Sequence, residues 1–473
     1  MSPLSHLKNI FISRWKHPAL IAKDQSFDYC SLYNQATGVG SWLSAKGYGA
    51  NDTIALRLPN GWPFAVAYLA CILNGYRFVP VNIELSFREQ DYILNRVSPK
   101  FVLEDEAQLV ALPPSKVSAP DFSDFPDTAS AIFFTSGTTG FPKGVIHSIN
   151  SLVGNAIAFN ESQGVDGDIR MYHVLPMSYM AGFLNTLLCP WLAGGTVLIG
   201  SRFRPTNAFN FWQDSISLGA NSIWITPSIA SFLTRVNRDP EVAREVQKHF
   251  DYIYCGTAPL PLSVRRSFHF VYGVPLQESY GMSEVLLVSA QTKKEAESRC
   301  DVGKLLTGIS VNFRSLQENS EQEIIIHTPY AYKEYLLESG YSFPLMVDGG
   351  IPTGDTGYLE KDTLIISGRL KDLIIRGGLN VSPVSIENVL LSEPGVQEVA
   401  VLGLQHEFWG ESIVACLIAE SGFSHITLEN SLRTRCQNEL SEGMRPDRYI
   451  WLKDLPRSTT GKIQKHILRE QIK

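Results

Sequence analysis

Short runs of β-forming residues alternate with helix-like stretches, and this alternation constrains the fold more than any other feature of the chain. Residues 53–57 and 78–81 have the composition of buried strands, and the apolar run 64–73 between them is typical of a buried helix. Further strands, each bounded by Gly, Pro or Asn, are predicted at 132–134, 196–199, 223–225 and 324–326. This alternation predicts an α/β fold with layered, largely parallel sheets.

The composition of the chain changes near residues 367–372. About 100 residues follow, with a helix signal at 386–391 and strand signals at 399–402 and 413–418. We therefore expect a large N-terminal α/β lobe of several subdomains, residues 1–370, and a small C-terminal α+β lobe, residues 371–473.

Charge and cysteine content exclude several classes of protein. The chain of 473 residues carries 41 Lys and Arg against 47 Asp and Glu, a formal net charge of −6, which argues against a nucleic-acid partner. Its seven cysteines are scattered without a CxxC pair, so neither a zinc ribbon nor a disulfide framework is expected. Ten apolar residues at 64–73 are about half a membrane span, and the first residues lack a signal-peptide pattern. We expect a cytoplasmic protein without an integral membrane segment, and peripheral membrane contact stays open.

A loop of small residues follows the strand at 131–134. Glycines and small hydroxyl residues let backbone N–H groups approach an anion, and Lys143 adds positive charge. The Walker pattern GxxxxGK[ST] does not fit, because Lys143 follows a proline and precedes a glycine. A simple hairpin turn is the alternative, but two pairs of adjacent hydroxyl residues are more than such a turn needs. The candidate phosphate-binding residues are Thr135, Ser136, Gly137, Thr138, Thr139, Gly140 and Lys143.

This loop resembles the phosphate loop of the adenylate-forming superfamily, which includes acyl-CoA synthetases, peptide-synthetase adenylation domains and luciferases. Four further segments resemble the motifs of that family in the same order, at 277–284, 353–357, 368–383 and 455–465. Singly, three of them have ordinary alternatives: a Tyr-Gly turn, an Asx-turn and a basic solvated tail. Together the five cover residues 131–465. On these motifs the chain is identified as a member of the superfamily, similar to acyl-CoA synthetases and other AMP-dependent ligases.

The resemblance implies an ATP site with Mg²⁺. Tyr280 would stack on adenine, Asp355 and Arg369 would bind the ribose, and a carboxylate at Glu284 would hold the cation. The implied catalytic residues are Lys462, Thr139 and Glu284. Besides the loop residues, the implied ATP-binding residues are Glu278, Ser279, Tyr280, Gly281, Met282, Ser283, Asp355, Arg369 and Lys462.

The resemblance also implies that the C-terminal lobe is mobile. Lys371 stands at the position of the hinge between the lobes, and the loop of Arg376, Gly377 and Gly378 would face coenzyme A. The chain departs from the family pattern at 350–352, where an aromatic and a basic residue are usual, and at Ser385, where an acidic residue is usual. The first departure concerns loop packing more than ribose binding, and a serine can still cap a helix.

Family resemblance places the acyl pocket at Tyr179, Phe183, Gly256, Thr257 and Met282. Tyr179 could flank the carboxylate of the substrate or pack in the core. The stretch 180–183 is apolar and offers no acidic partner for an α-ammonium group, which a buried charge would need. A fatty, aryl or other apolar carboxylic acid is therefore favoured over an amino acid.

The function implied is ATP-dependent activation of such an acid to acyl-AMP with release of pyrophosphate, followed by transfer to the thiol of coenzyme A, as in fatty acid metabolism. Transfer to the phosphopantetheine arm of a carrier protein in trans is the alternative, since coenzyme A and this arm end in the same thiol. Oxidative light emission and non-enzymatic nucleotide binding are more distant possibilities. A monomer and a homodimer are both open.

We expect the substitution Lys462→Ala to slow acyl-AMP formation by about 10²–10³-fold, the usual cost of removing one donor that stabilises transition-state charge. The thiol step, measured from pre-formed acyl-AMP and coenzyme A, should be spared. Single-turnover measurement of both half-reactions tests this, and equal losses in the two would contradict it.

Overall fold

The structure is a computed structural model of the chain, and it describes residues 3–23, 25–117, 128–135, 142–237, 239–298, 301–315, 322–377, 379–457 and 463–472. The strands are, in chain order, β1 Pro18–Ile21, β2 Ser26–Asp28, β3 Thr53–Leu56, β4 Arg77–Pro80, β5 Phe101–Leu103, β6 Ser130–Thr135, β7 Lys143–Ser148, β8 Arg170–His173, β9 Thr196–Ile199, β10 Ser222–Ile225, β11 Tyr252–Cys255, β12 Gln277–Met282, β13 Leu286–Ala290, β14 Lys304–Leu305, β15 Ser310–Ser315, β16 Gln322–His327, β17 Glu334–Leu337, β18 Gly340–Ser342, β19 Ile351–Glu360, β20 Thr363–Arg369, β21 Ile374–Arg376, β22 Leu379–Val381, β23 Val396–His406, β24 Gly410–Ala419 and β25 Arg448–Trp451.

The helices pack on the faces of the sheets that these strands form. They are α1 Pro3–Ser13, α2 Tyr29–Ala45, α3 Trp62–Leu73, α4 Phe87–Val97, α5 Glu106–Ala111, α6 Ile149–Gln163, α7 Met180–Phe183, α8 Cys189–Ala193, α9 Phe211–Ser217, α10 Pro227–Val236, α11 Pro240–His249, α12 Leu262–Tyr272, α13 Lys293–Ser298, α14 Pro383–Leu391, α15 His425–Glu439 and α16 Lys465–Gln471. The predicted strands and the helix at 64–73 are confirmed, with ends that differ by at most two residues up to residue 327 and by up to four residues for the strands predicted at 399–402 and 413–418.

Within the described residues the strands form sheets of 13, seven and five strands. The 13-stranded sheet has the order β15-β16-β19-β20-β14-β13-β12-β11-β10-β8-β9-β1-β2, and the seven-stranded sheet the order β18-β17-β7-β6-β4-β3-β5. The predicted α/β class, with a large N-terminal and a smaller C-terminal unit, is confirmed.

The prediction of largely parallel sheets is only half right. Strands β9, β8, β10, β11 and β12 run parallel, but the 13-stranded sheet is antiparallel from β12 through β13, β14, β20, β19, β16 and β15. Several of these later strands follow one another through short turns, and a short turn can only connect antiparallel neighbours.

Helix α3 is apolar on all sides, and it is buried along almost its whole length. Its Phe64 and Tyr68 rings stack with centroids 4.8 Å apart, and Tyr68 meets Phe78 at 5.3 Å and Phe183 at 4.6 Å. Phe183 also packs 5.6 Å from Phe133 on β6. This aromatic cluster therefore supports β6, the strand that leads into the predicted phosphate loop.

The five-stranded sheet lies in the C-terminal part of the chain and is built on the long β23–β24 hairpin. Apolar clusters cover both of its faces, one around Ile386 and Ile413 and the other around Leu402 and Leu468. A single turn of 3₁₀-helix, Leu370–Asp372, connects this sheet to β20 of the 13-stranded sheet. The predicted boundary at 370/371 falls in that turn.

A helix that spans a bilayer needs about 20 predominantly apolar residues. Nowhere in the described ranges does a helix combine that length with that apolar character.

We expect Phe78→Ala to lower the free energy of unfolding by about 3–5 kcal/mol, because it removes a fully buried ring from the aromatic cluster. Urea unfolding followed by tryptophan fluorescence measures the change. The control is Phe270→Ala, since the Phe270 ring is 90% exposed and its loss should cost less than about 0.5 kcal/mol. Equal effects of the two substitutions would contradict the assignment of the core.

Candidate active site

Asp355 brings together residues from three of the sequence motifs. It lies opposite Arg369 in the β19–β20 pair, and the Nε atom of Arg369 is 2.7 Å from its Oδ1 atom. The hydroxyl of Tyr280 donates to the Oδ2 atom of Asp355 at 2.8 Å. Burial, followed by the adjacent Asp355 carboxylate, raises the pKa of Tyr280 well above its usual value. The predicted adenine- and ribose-binding residues therefore form one contact group.

The turn between β12 and β13 presents Glu284. The two strands are antiparallel with an irregularity between Tyr280 and Gly281, and the turn closes through the N–H of Val285 to the carbonyl of Met282. A Cβ atom at Gly281 would lie 2.2 Å from the carbonyl oxygen of Leu286, so the close approach of the two strands requires glycine here. The position of Glu284 thus depends on this local geometry.

Glu284 is held by a residue that the sequence motifs do not contain. The hydroxyl of Tyr335 donates to its Oε1 atom at 2.7 Å, and the backbone N–H of Tyr332 donates to its carbonyl oxygen at 2.8 Å. Tyr335 pairs with Val145 of β7, and the ammonium of Lys143 lies 5.7 Å from the centre of its ring. Burial, and then the Glu284 carboxylate, raise the pKa of Tyr335. Tyr335 therefore joins Glu284 to the base of the phosphate loop.

His147 is a second supporting residue that sequence reasoning missed. Its Nε2 atom lies 2.6 Å from the carbonyl oxygen of Ser283, and its ring is completely buried. Neither His147 nor Tyr335 belongs to a short motif. The pairing of β7 with β17, which joins segments almost 190 residues apart, places Tyr335 near Lys143, and His147 reaches Ser283 from β7 itself.

The predicted phosphate loop is described at its two ends. Thr135 and Lys143 face each other across the β6–β7 pair. The other predicted residues of the loop, and two from the C-terminal lobe, lie outside the described residues: Ser136, Gly137, Thr138, Thr139, Gly140, Gly378 and Lys462. Their assignments stay predictions.

Glu278 has its side chain engaged in a buried network. Its carboxylate accepts from the guanidinium of Arg265 at 2.5 Å and from the N–H of Leu260 at 3.1 Å. Burial raises the pKa of Glu278 to about 7, although Arg265 opposes the shift.

The strand around Glu278 is also held by its backbone and by Ser279. The backbone N–H of Glu278 donates to the side chain of Gln291 at 3.0 Å, and the hydroxyl of the neighbouring Ser279 donates to the carbonyl of Cys255 at 3.4 Å. The Glu278 carboxylate thus anchors the strand that carries Tyr280.

The predicted hinge residue Lys371 is exposed in the 3₁₀ turn between β20 and β21. Arg376, in the predicted coenzyme A loop, donates to Asp447 at 2.7 Å and lies over the ring of Trp409. The N–H of Gly377 donates to the carbonyl of Trp409 at 2.7 Å. These contacts hold the described part of that loop against the β23–β24 hairpin.

The predicted acyl-pocket residues occupy different environments. The hydroxyl of Tyr179, which is half-buried, accepts from the amide of Asn82 at 3.1 Å. Phe183 is fully buried in the aromatic cluster described above. Thr257 has a left-handed backbone with φ of 70°, which is strained for a β-branched residue and is often found at functional sites. Met282 is half-buried against the main core.

The donor set around Glu284 fits a magnesium ion that arrives with a nucleotide. Within the described ranges, no three His, Cys, Asp or Glu side chains are arranged to hold a metal ion by themselves. Mg²⁺ bound together with phosphates needs only one or two protein carboxylates and takes its other ligands from phosphate and water. A single carboxylate beside the phosphate loop satisfies that requirement.

Comparison with known proteins identifies the family. The profile described as AMP-binding enzyme matches residues 13–336, and the profile described as AMP-binding enzyme C-terminal domain matches residues 385–462. The chain belongs to the AMP-binding enzyme family.

The chain is similar to proteins named as CoA ligases along almost its whole length. It is 29% identical to a long-chain-fatty-acid–CoA ligase of Mycobacterium tuberculosis, over 95% of this chain and 93% of the relative. It is 28% identical to a sulfoacetate–CoA ligase of Cupriavidus necator, with the same coverage. The crystal structure of the o-succinylbenzoate CoA synthetase of Bacillus subtilis with its acyl-adenylate has a TM-score of 0.80 and 26% identity, covering 99% of this chain and 97% of that one.

We expect acid to destabilise the protein through its buried histidines. Burial lowers the pKa of His147 and of His173 to about 4, whereas an unfolded histidine titrates near about 6.5. Between these values the unfolded chain binds more protons, so stability falls as the pH falls, by at most about 1.4 kcal/mol per pH unit for each histidine.

Urea unfolding at several pH values between 4 and 7 measures this slope. The variant His147→Gln should have a smaller slope than the parent. His269→Gln, on the exposed face of α12, is the control and should leave the slope unchanged. If both substitutions leave the slope unchanged, the pH dependence of stability does not come from His147.

Proposed function

We propose that this AMP-binding enzyme activates a carboxylic acid with ATP to acyl-AMP and transfers the acyl group to coenzyme A. The observation that carries the proposal is the contact group of Tyr280, Asp355 and Arg369. Three sequence motifs meet there with hydrogen-bond geometry, one of them 75 residues before Asp355, and together they offer an aromatic face and a carboxylate for a nucleoside.

In the first step, a carboxylate oxygen of the acid attacks the α-phosphorus of ATP, and pyrophosphate leaves. Negative charge spreads over the phosphate oxygens, so the site must supply positive charge, N–H donors and in-line positioning. We assign the β- and γ-phosphates to the loop that begins at Thr135 and ends at Lys143. Glu284 would hold Mg²⁺, which would supply charge neutralisation for these phosphates.

Tyr335 keeps the Glu284 carboxylate oriented toward the phosphate loop, because it binds one carboxylate oxygen and stands beside Lys143. Lys462 is assigned to the α-phosphate and the acid. Lys462 lies in the C-terminal lobe, beyond the hinge at Lys371. One rotation of that lobe about the hinge would therefore bring Lys462 to the nucleotide, and another would remove it.

An ion pair connects the lobes near the segment that carries Lys462. Glu398 of the C-terminal sheet accepts from Arg235 of α10 at 3.2 Å and also pairs with Arg457 of its own lobe, five residues before Lys462. Lys465, three residues after Lys462, lies 2.8 Å from Glu387 of the same lobe. An ion pair as exposed as that of Arg235 and Glu398 contributes little free energy and breaks easily, as a lobe that moves between two half-reactions requires.

In the second step, a thiol attacks the acyl carbon and AMP leaves. We propose coenzyme A as the acceptor rather than a carrier protein, because the similar proteins are named CoA ligases. Their acids differ widely in chemistry. For this chain we propose an acid with an uncharged, largely apolar body. Residues 180–183, next to Tyr179, include no charged side chain that could pair with a charge on the acid.

ATP–pyrophosphate exchange across a panel of carboxylic acids tests the first step. Thioester formation from the best acid, with coenzyme A and separately with a phosphopantetheinylated carrier protein, tests the second. Nucleotide binding without exchange for any acid would overturn the proposed activity, and thioester formation only with the carrier would overturn the proposed acceptor.

We expect Asp355→Asn to raise the KM for ATP by about 10–100-fold, because the amide has one acceptor oxygen where the carboxylate has two and lacks the charge that pairs with Arg369. Initial rates of pyrophosphate exchange at varied ATP measure this. Asp362→Asn, an exposed position on the β19–β20 turn, is the matched control. An unchanged KM for ATP in Asp355→Asn would remove the ribose assignment.

A further inference from the structure

A hydrogen bond between Asn82 and Tyr179 connects the two large sheets. Tyr179 lies in the segment after β8 of the 13-stranded sheet, whereas Asn82 follows β4 of the seven-stranded sheet. The side-chain amide of Asn82 donates to the Tyr179 hydroxyl at 3.1 Å. Both residues come after the carboxyl ends of strands that have parallel neighbours, β6 for β4 and β10 for β8. Crevices at such strand ends are where α/β folds bind their ligands.

The register of β4 and β6 places Asn82 beside the predicted phosphate loop. The two strands are parallel, with Phe78 opposite Ala131. Continued by the same offset, this register puts Asn82 level with Thr135, the first residue of that loop. Because neighbouring strands are about 5 Å apart, the Asn82 side chain stands next to the place where the loop begins.

Packing of α7 brings Tyr179 to the same place. Tyr179 is the N-cap residue of this short helix, and its carbonyl accepts from the N–H of Phe183 at 3.0 Å. The Phe183 ring packs 5.6 Å from Phe133 of β6, two residues before the loop begins at Thr135. Tyr179 is therefore one helical turn from a side chain that packs against the end of β6.

The partners of Asn82 determine what the Tyr179 hydroxyl can offer. The side-chain oxygen of Asn82 accepts from the backbone N–H of Glu84 at 3.0 Å, so its nitrogen is the atom that faces Tyr179. An amide nitrogen can only donate, and the phenol oxygen must therefore accept. The proton of the hydroxyl stays available, and the described part of the chain contains no acceptor for it. Asn82 is 7% exposed, whereas Tyr179 is half-buried and open to solvent on one side.

The bond to Asn82 is not required to hold the segment before Tyr179. The side chain of Asn60 accepts from the N–H of Met177 at 2.9 Å and donates to the carbonyl of Leu175 at 2.7 Å. The hydroxyl of Tyr68 donates to the carbonyl of Met177 at 2.7 Å. Three hydrogen bonds thus fix the backbone of this segment already, and the Asn82 bond acts on the Tyr179 side chain alone.

We propose that Asn82 is a positioning residue that directs the proton of the Tyr179 hydroxyl toward an anionic oxygen of the bound substrates. That oxygen belongs to the carboxylate of the acid or to a phosphate of ATP, since both arrive beside the phosphate loop. The inference rests on the proposed function, because it concerns the place where these two substrates react. A hydrogen bond to a charged oxygen is about twice as strong as one between neutral groups.

The variant Tyr179→Phe tests the donor. Pyrophosphate exchange is measured with whichever of benzoate, cinnamate, hexanoate and decanoate the parent enzyme uses fastest. Loss of the hydroxyl should raise the KM for its substrate by about 10-fold or more. A rise for the acid identifies the carboxylate, a rise for ATP identifies a phosphate, and a rise for both places the proton between the two groups. KM values that both stay within about twofold of the parent would overturn the proposal.

The matched control for this variant is Tyr252→Phe. Tyr252 is also half-buried in the 13-stranded sheet, but it lies at the amino end of β11, on the edge opposite to the candidate site. Its loss of a hydroxyl should leave both KM values at the parental level.

The variant Asn82→Asp tests the direction of the proton. A carboxylate keeps the bond to the N–H of Glu84 but accepts from the Tyr179 hydroxyl, and it therefore takes the proton away from the substrate. It should raise the same KM as Tyr179→Phe, by about 5-fold or more. Introduced into Tyr179→Phe, it should change that KM by less than about twofold, because the proton is already absent. A full second loss in the double variant would indicate charge repulsion and overturn the role of Asn82.

Asn95→Asp is the control for the added charge, since it adds the same charge at an exposed position of α4 and should keep the parental KM values. Urea unfolding shows which variants are folded. If Asn82→Asp does not fold, Asn82→Ala replaces it and should raise the same KM only when Tyr179 is present.

Two further outcomes have separate meanings. If the variants at 82 and 179 lower the free energy of unfolding and leave both KM values unchanged, the bond is structural and the inference is overturned, while the proposed ligase activity stands. If the parent enzyme shows no pyrophosphate exchange with any of the four acids, the proposed ligase activity itself fails, and this inference with it.

Discussion

A buried carboxylate that is shared by two partners is the interaction on which the candidate site depends. The side chain of Asp355 is 4% exposed, and a carboxylate with so little water is stable only when its oxygens are bonded. Arg369 binds one oxygen and Tyr280 the other. Because these partners come from different strands, their bonds to Asp355 also align β12 with the β19–β20 pair and shape the proposed nucleoside site.

A second junction connects the two large sheets. Glu284 stands on a turn of the 13-stranded sheet, whereas Tyr335 and Lys143 belong to the seven-stranded one. The bond between Tyr335 and Glu284 therefore positions the proposed magnesium ligand relative to the end of the phosphate loop. The aromatic cluster below β6 supports the same loop from the core side, so packing and hydrogen bonding act on one segment from opposite directions.

Much of the site was accessible from sequence because its residues lie in short motifs whose chemistry is local. A strand followed by small hydroxyl residues and a lysine indicates phosphate binding. An aspartate between glycines indicates a carboxylate that accepts hydrogen bonds from two neighbouring hydroxyl groups. The supporting residues were not accessible in this way. Tyr335, His147 and Arg265 lie in unremarkable segments, and each acts through a partner between 13 and 136 residues away.

The sequence by itself determined the class of the fold, the family and the strands and helices with the strongest local patterns, because periodicity and motif chemistry are properties of neighbouring residues. The direction of half of the largest sheet, the placement of Phe183 in the core and the contact of Tyr335 with Glu284 were decided only by tertiary structure. The physical reason is register: which side chains meet across a sheet depends on how distant strands align, and no local preference of the chain specifies that alignment.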